Sequence, residues 1–246
     1  MKKFLLITTG ALLLLALACY IGLQFFLGSV VTAAVNRLGP GITHTRVELG
    51  ATKISPFSGQ GKLSGLTIGN PKGWSAADLF HVGELNVRLE PFSIFGDYIV
   101  IDEITIDSPE INYETRLFSS NVAELLKNIE AVTSGGKPAD PKAKNGAPIK
   151  LVVKKFTMTN ARVSLGLGAK AMTIPMPPVE LTDLGVAQGG ITPTELATAV
   201  MRSITSSVVA ASTDAIAKTG KTSGAAATEG IKKAGDAIKG LFGGKK

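Results

Sequence analysis

The run MKKFLLITTGALLLLALACYIGLQFFL places two lysines ahead of 24 residues, Phe4 to Leu27, that carry no charge. Wound as a helix, this stretch is about 36 Å long and crosses a hydrocarbon core of ~30 Å. A domain of this size has little interior in which to bury a helix that is apolar all round, so a bilayer is the solvent it fits. The triplet ALA at 16–18 also matches the cleavage pattern of a secretory signal, but the apolar core of such a signal runs only ~7–15 residues. Here YIGLQFFLGSVV carries the run past Ala18. A retained anchor is the expectation. A third reading, lipidation of Cys19, lacks the leucine usually found three positions earlier and would leave a greasy new N-terminus. Lys2 and Lys3 place the N-terminus in the cytoplasm by the positive-inside rule, with the chain from about residue 36 on the far side. For a bacterial chain this means a single-pass protein of the inner membrane with its C-terminal domain in the periplasm.

Charge and cysteine narrow the function classes. The net charge is +7, from 26 Lys and Arg against 19 Asp and Glu. Lys2 and Lys3 supply two of these charges; the seven lysines from Lys218 onward, set against Glu229 and Asp236, supply five, so residues 4–217 balance at 17 against 17. A neutral body with basic ends lacks the basic face that phosphate binding requires, which excludes nucleic acid as the expected partner. The single cysteine, Cys19, lies in the apolar run, so no internal disulfide and no Cys-based metal site is available.

Beyond the anchor the periodicity becomes two. In ELNVRLE, Leu85, Val87 and Leu89 alternate with Glu84, Asn86, Arg88 and Glu90, the pattern of a strand with one buried face. DYIVIDEITID, EINYETR, THTRVELGA and ARVSLGL repeat it, and at least seven strands are expected between 43 and 185. A phrase also recurs: KISPFS at 53–58 matches RLEPFS at 88–93, and LTIGNPKG at 66–73 matches ITIDSPEI at 104–111, at separations of 35 and 38 residues. Such a spacing fits a two-strand unit whose copies bury their apolar faces by adding to one another. Leu66, Ile68, Ile104 and Ile106 are then expected on one continuous face with Leu85, Val87 and Leu89. FTMTNARV at 156–163 is a third copy of the phrase, for which common strand-end chemistry is an equal explanation.

Two helices are expected in this region. SSNVAELLKNIEAV at 119–132 offers Ser120 or Asn121 as N-cap and an apolar stripe of Val122, Leu125, Leu126 and Ile129. TPTELATAVMRSITSSVVAA offers Thr192 or Thr194 as cap and a stripe along Leu196, Val200, Ile204 and Val208. The segment TSGGKPADPKAKNGAP between them reads as a linker. In the tail, Ile231, Ile238 and Phe242 fall beside Lys232, Lys233 and Lys239 at helical spacing, a weakly amphipathic pattern suited to anionic lipid. Its glycines lower helix propensity, which keeps a solvated tail open as the alternative.

The segments GKLSGLTIGNPKGW and VGELNVRLEPFSIFGDYIVIDEITIDSPEINYE, followed by a helix with NVAELL, resemble the AsmA-like proteins of bacterial envelopes. The match covers about residues 45–132, and MPPVELTDLGVAQGGITPTELATAV resembles the closing part of small members. The resemblance implies a β-rich module anchored in the inner membrane, related to TamB and the bridge-like lipid-transfer proteins, with a role in outer-membrane biogenesis and envelope lipid homeostasis. This chain has strands for only a short stub of their long grooves.

No catalytic constellation is legible. His44 and His81 have no nucleophile or acid motif beside them, and Asp102, Glu103 and Asp107 lie on a strand where a calcium loop needs alternating oxygen ligands and a glycine turn. GNPKGW lacks the strand-loop-helix setting of a phosphate loop. Trp74, the single tryptophan, reads as a packing residue. The expectation is therefore no enzyme, no cofactor and no metal. The fold expected is a transmembrane helix followed by a β-rich α+β domain, an antiparallel meander forming a curved sheet or groove with covering helices. The divisions are 1–35 anchor, 36–132 β repeats with a closing helix, 133–148 linker, 149–210 further strands and a covering helix, and 211–246 basic tail. The apolar face would take membrane lipid or an envelope protein partner; a scaffold acting through protein contacts alone is the alternative.

Overall fold

The computed structural model describes residues 2–116, 119–135, 148–166 and 171–219. One helix, α1 (Lys2–Thr43), is long and apolar enough to cross a membrane. It continues beyond the apolar run through Pro40 and delivers the chain to a sheet-rich domain. The sheet contains β1 (Val47–Ile54), β2 (Gln60–Gly69), β3 (Asp78–Leu89), β4 (Ile99–Asp107), β5 (Glu110–Tyr113), β8 (Leu151–Thr159), β9 (Arg162–Leu165), β10 (Met172–Pro175) and β11 (Val179–Leu184). A short 3-10 turn, Pro91–Phe95, joins β3 to β4, and a two-stranded ribbon, β6 (Thr115–Arg116) with β7 (Ser119–Ser120), leads into α2 (Asn121–Ser134). The last described element is α3 (Pro193–Thr219), which runs on past Ala211 into the segment expected to be tail.

The nine strands form six long ones, because β5 continues β4, β9 continues β8 and β11 continues β10. The pairings make this explicit. Asp107↔Thr159 and Glu110↔Arg162 share one register offset, and Pro175↔Arg162 and Val179↔Met158 lie on one antiparallel register. The expected antiparallel meander is correct for β1 to β4. The next pair departs from it, since β4 and β8 run parallel. The chain crosses over between them through α2, which returns it to the same end of the sheet, and only such a crossover permits a parallel pair. The second and third copies of the recurring phrase, ITIDSPEI and FTMTNARV, are these parallel partners, with Ile104↔Phe156 and Ile106↔Met158 side by side. The first copy differs: LTIGNPKG ends β2 at Gly69.

Each long strand shifts its alternation by one residue at a common line. In β2 the apolar positions pass from Leu63 to Leu66, in β3 from Val82 to Leu85, in β4–β5 from Ile106 to Pro109, and in β8–β9 from Met158 to Ala161. Successive side chains on a strand point to opposite faces, so each such step would send the rest of the strand to the wrong face unless one residue absorbs the change. The residues that do so stand opposite one another across the sheet. Gly50 faces Gly65, between the pairs Leu49↔Leu66 and Ala51↔Ser64. Gly65 faces Gly83, and Gly83 faces Ser108. Ser108 faces Asn160, and Asn160 faces Pro177. Gly65, Ser108 and Asn160 have φ of 68°, 52° and 54°, the left-handed region that adds a step without breaking the ladder. Backbone hydrogen bonds close over the line, from Ser108 N to Thr159 O, Arg162 N to Pro109 O and Met176 N to Ala161 O, all 2.9 Å.

One hydrophobic cluster fills the face this crease preserves. Leu79, Val82, Ile111, Val153, Met158 and Val163 are fully buried there against Val122, Leu125 and Ile129 of α2 and Ile204 and Val208 of α3. Both covering helices start where their caps dictate. Ser120 Oγ accepts from Ala123 N at the head of α2. Thr192 and Glu195 form a reciprocal capping box at the head of α3, Glu195 N to Thr192 Oγ1 at 3.2 Å and Thr192 N to Glu195 Oε2 at 2.7 Å.

A Cβ at Gly65 makes ordinary van der Waals contact, no closer than 3.8 Å to Gly50, so the cost of adding it is the dihedral. Gly65→Val is therefore expected to destabilise the detergent-solubilised protein by about 1–2 kcal/mol. Urea unfolding followed by Trp74 fluorescence reads this; an unchanged midpoint contradicts the crease.

Candidate functional site: an apolar face between an anchor and two helices

The C-terminal half of α1 runs antiparallel along the free edge of β1. Asn36 does what a further strand would do: its Nδ2 donates to Leu49 O at 3.2 Å while its Oδ1 accepts from Leu49 N at 2.6 Å. Thr32 Oγ1 donates to Thr52 Oγ1 at 2.9 Å, Tyr20 OH lies 3.3 Å from Ser55 Oγ, and the Tyr20 and Phe57 rings stack with centroids 5.6 Å apart. Close approach is possible because a Cβ on Gly28 would stand 2.1 Å from Thr52 O, and one on Gly39 2.7 Å from Val47 Cγ1. Both of those distances are far inside van der Waals contact, so any larger residue pushes the helix off the strand. An edge that would otherwise invite pairing with another chain is thereby closed. The opposite edge, β10–β11, is broken by Pro175, Pro177 and Pro178, which lack the N–H a new partner needs. A cleft of about 660 Å3 remains between α1 and β1, lined by Phe25, Gly28, Ala33, Gly50, Ala51 and Lys53 among others.

The structure places the expected face residues as follows. Leu85 and Ile106 are buried in the hydrophobic cluster, and Leu66, Ile68, Val87 and Ile104 are partly buried and pack against it. Leu89 is half-buried and pairs with Ile101 at the end of β3. Burial is uneven on both sides of the crease. On the side away from the β1–β2 turn Leu79, Val82, Ile111 and Val163 are buried while Leu66 and Ile68 are partly covered. On the near side Leu85, Ile106, Val153, Phe156 and Met158 are buried, while Leu63, Val87, Ile101 and Ile104, on β2 to β4, stay only partly covered among the described residues. The tail residues Ile231, Lys232, Lys233, Ile238, Lys239 and Phe242 lie outside the described residues, as does most of the linker.

A second feature escaped the sequence reading. At the far end of the sheet a polar cluster is closed off from water around Asn121, which is fully buried. Its Oδ1 accepts from Glu114 N at 3.0 Å and Val122 N at 2.9 Å; its Nδ2 donates to Asn112 O at 2.7 Å and Asn70 Oδ1 at 2.8 Å. Glu114 accepts from Asn70 Nδ2 at 2.8 Å, from Ser75 N at 3.3 Å and from the Ser75 hydroxyl. Trp74 Nε1 donates to Glu124 Oε2 at 2.7 Å, and the Arg116 guanidinium lies 4.5 Å over the Trp74 ring. Asn70, Glu114 and Asn121 come from three separate loops and strand ends, which is why no local spacing marks them. All four hydrogen-bonding positions of the Asn121 amide are used, so the cluster clamps α2 to the sheet.

The titratable groups support no catalytic reading. His81 Nδ1 lies 3.1 Å from Thr67 Oγ1, an exposed cross-strand contact. Asp102 pairs with Lys154 at 2.7 Å and raises its ammonium pKa, and Glu103 pairs with Arg88 at 3.2 Å. Asp107 belongs to the crease: Asn160 Nδ2, Thr159 Oγ1 and Ser108 Oγ donate to it at 2.7, 3.1 and 3.1 Å, and these bonds hold its carboxyl below the usual range. Among the described residues no group of three or more His, Cys, Asp or Glu is placed to hold a metal ion.

Comparison of the sequence with known protein families and with curated proteins gives no match.

Two outcomes are expected here. Asn121→Ala strands the Glu114 and Val122 amides in a dry site and is expected to cost roughly 2–4 kcal/mol, at ~1–3 kcal/mol for each unsatisfied buried group. Asn121→Asp, whose carboxylate cannot donate to Asn112 O and would be buried as a charge, is expected to lose at least as much; a loss near zero for either variant in thermal unfolding contradicts the clamp. For Asp107 the folded pKa lies below the unfolded value of about 3.9, so its contribution to stability is present above that pH and is lost as pH falls through the folded value. Carboxyl NMR is expected to show Asp107 titrating below the ordinary aspartate value and moving up in Asn160→Ala.

Proposed function

We propose that this chain is an AsmA-like envelope protein, anchored in the bacterial inner membrane by α1 with its sheet domain in the periplasm, which holds lipid acyl chains on the near half of its apolar face. The partly covered patch of Leu63, Val87, Ile101 and Ile104 carries this reading. These aliphatic side chains lie on β2 to β4 toward the end of the sheet from which α1 departs, and an acyl chain is the apolar partner a membrane anchor keeps within reach. Lys2 and Lys3 before the span support the orientation. The proposed activity is binding: His81 meets Thr67 in an exposed cross-strand contact, and the hydrogen bonds of Asp107 and Glu114 orient backbone and neighbours. A role in outer-membrane lipid homeostasis rests on the resemblance of residues 45–132 to AsmA-like proteins.

The core buried by α2 and α3 on both sides of the crease favours a second reading, a membrane-tethered scaffold that uses only protein contacts. Mass spectrometry of lipid extracted from the full chain, purified in mild detergent, separates the two. Phospholipid enriched over that retained by a single-helix control is expected, and Val87→Gln with Ile104→Gln is expected to reduce it with circular dichroism unchanged. Retention equal to the control supports the scaffold.

A further inference from the structure

Among the described residues outside α1, seven large apolar side chains are exposed, and six of them gather at one end of the sheet. They are Phe57 in the β1–β2 turn, Phe92, Ile94 and Phe95 in the 3-10 turn, Tyr98 just after it, and Val186 in the turn after β11. The seventh, Met172, begins β10 at the other end. Phe57, Phe92 and Phe95 are 76%, 78% and 83% exposed, so they pack against almost nothing in the domain. Isolated exposed apolar residues are ordinary, but this many on one rim mark a contact surface.

This is also the end from which α1 arrives. Asn36 lies at Leu49, Thr32 at Thr52 and Tyr20 at Ser55 and Phe57, so the helix descends along β1 and leaves the domain beside the β1–β2 turn. About 20 helical residues cross a hydrocarbon core, and counted from Phe4 that span ends close to Leu23. Tyr20 and its stacked partner Phe57 therefore fall at the outer boundary of the core, the depth where aromatic rings concentrate.

The recurring PFS phrase gains a reason here. In both copies a tight turn leaves the phenylalanine exposed; the PFS serine closes the second turn, and backbone bonds close the first. In the second copy, Ser93 Oγ donates to Glu90 O at 2.6 Å and accepts from Val100 N at 2.9 Å, while Phe92 stays out. In the first, Ser55 N donates to Gln60 O at 2.8 Å and Gly59 N to Ser55 O at 3.0 Å around exposed Phe57.

We propose that this rim, Phe57 with Phe92, Ile94 and Phe95, inserts into the interfacial layer of the same bilayer that α1 crosses, so that the sheet stands end-on against the membrane. The inference rests on the reading of α1 as a membrane span. Its consequence is orientation: a helix alone lets the domain swivel, whereas helix and rim together hold the partly covered patch of the apolar face against the lipid.

The test uses the full chain reconstituted in vesicles of phosphatidylcholine and phosphatidylglycerol. An environment-sensitive fluorophore is attached through Phe57→Cys, Phe92→Cys, Phe95→Cys or Met172→Cys in a Cys19→Ser background, and through Cys19 in the unaltered chain. Labels at 57, 92 and 95 are expected to shift to the blue, to be quenched by lipid bearing a nitroxide near the glycerol level, and to be shielded from aqueous iodide. The label at 172 is expected to be open to iodide. If the rim labels are as open to iodide as the label at 172 while Cys19 is closed to iodide and quenched by nitroxide in the upper part of the acyl chains, α1 spans and the rim proposal is overturned. If Cys19 is itself open to iodide, the span fails and the proposal falls with it.

Discussion

A one-residue step repeated in every strand is what the rest of this domain depends on. A sheet bent sharply across its middle would turn half of each strand's apolar residues to water if alternation ran on unbroken. Gly50, Gly65, Gly83, Ser108, Asn160 and Pro177 prevent this because they stand in line, each opposite the next. A step in one strand alone would tear the ladder, and a step in all of them bends the sheet and leaves the pairing intact. Asp107 secures the centre of the line by accepting from both left-handed residues, Ser108 and Asn160, and from Thr159 between the parallel strands.

The crease crosses one continuous apolar face. Beyond it, α2 and α3 bury Val82 and Val163, and the Asn121 cluster fixes α2 against the strand ends. Before it, Val153 and Met158 are buried as well, while Leu63, Val87 and Ile104 on β2 to β4 stay partly covered. Asn36, Thr32 and the two close glycines couple α1 directly to β1.

Some of this was legible from sequence because its causes are local. A charge-free run long enough for a bilayer needs no partner to declare itself. The caps Ser120 and Thr192 act within three or four residues, and both helices begin there. Alternation in ELNVRLE reports a half-buried strand wherever that strand lies. The repeated PFS and ITIDSP phrases were visible too, but their meanings were not: one is a pair of turns on the same rim, and the other is half of a parallel pair whose partner lies 52 residues on, Ile104 beside Phe156. An antiparallel meander was the economical expectation, and the crossover through α2 overrode it.

The amino-acid sequence by itself determined the kinds of element and their buried faces, since helix caps, strand alternation and a bilayer-length apolar run are set by neighbours along the chain. The tertiary structure alone decided what met what. Asn70, Glu114 and Asn121 form a cluster only because three chain segments end at one place. Asn36 pairs with a strand edge only because Gly28 and Gly39 let a helix lie against it. Left-handed residues scattered from Gly65 to Asn160 become one crease only when the register aligns them. These are contacts between residues far apart in the chain, and their free energy comes from burial and pairing that no local pattern records.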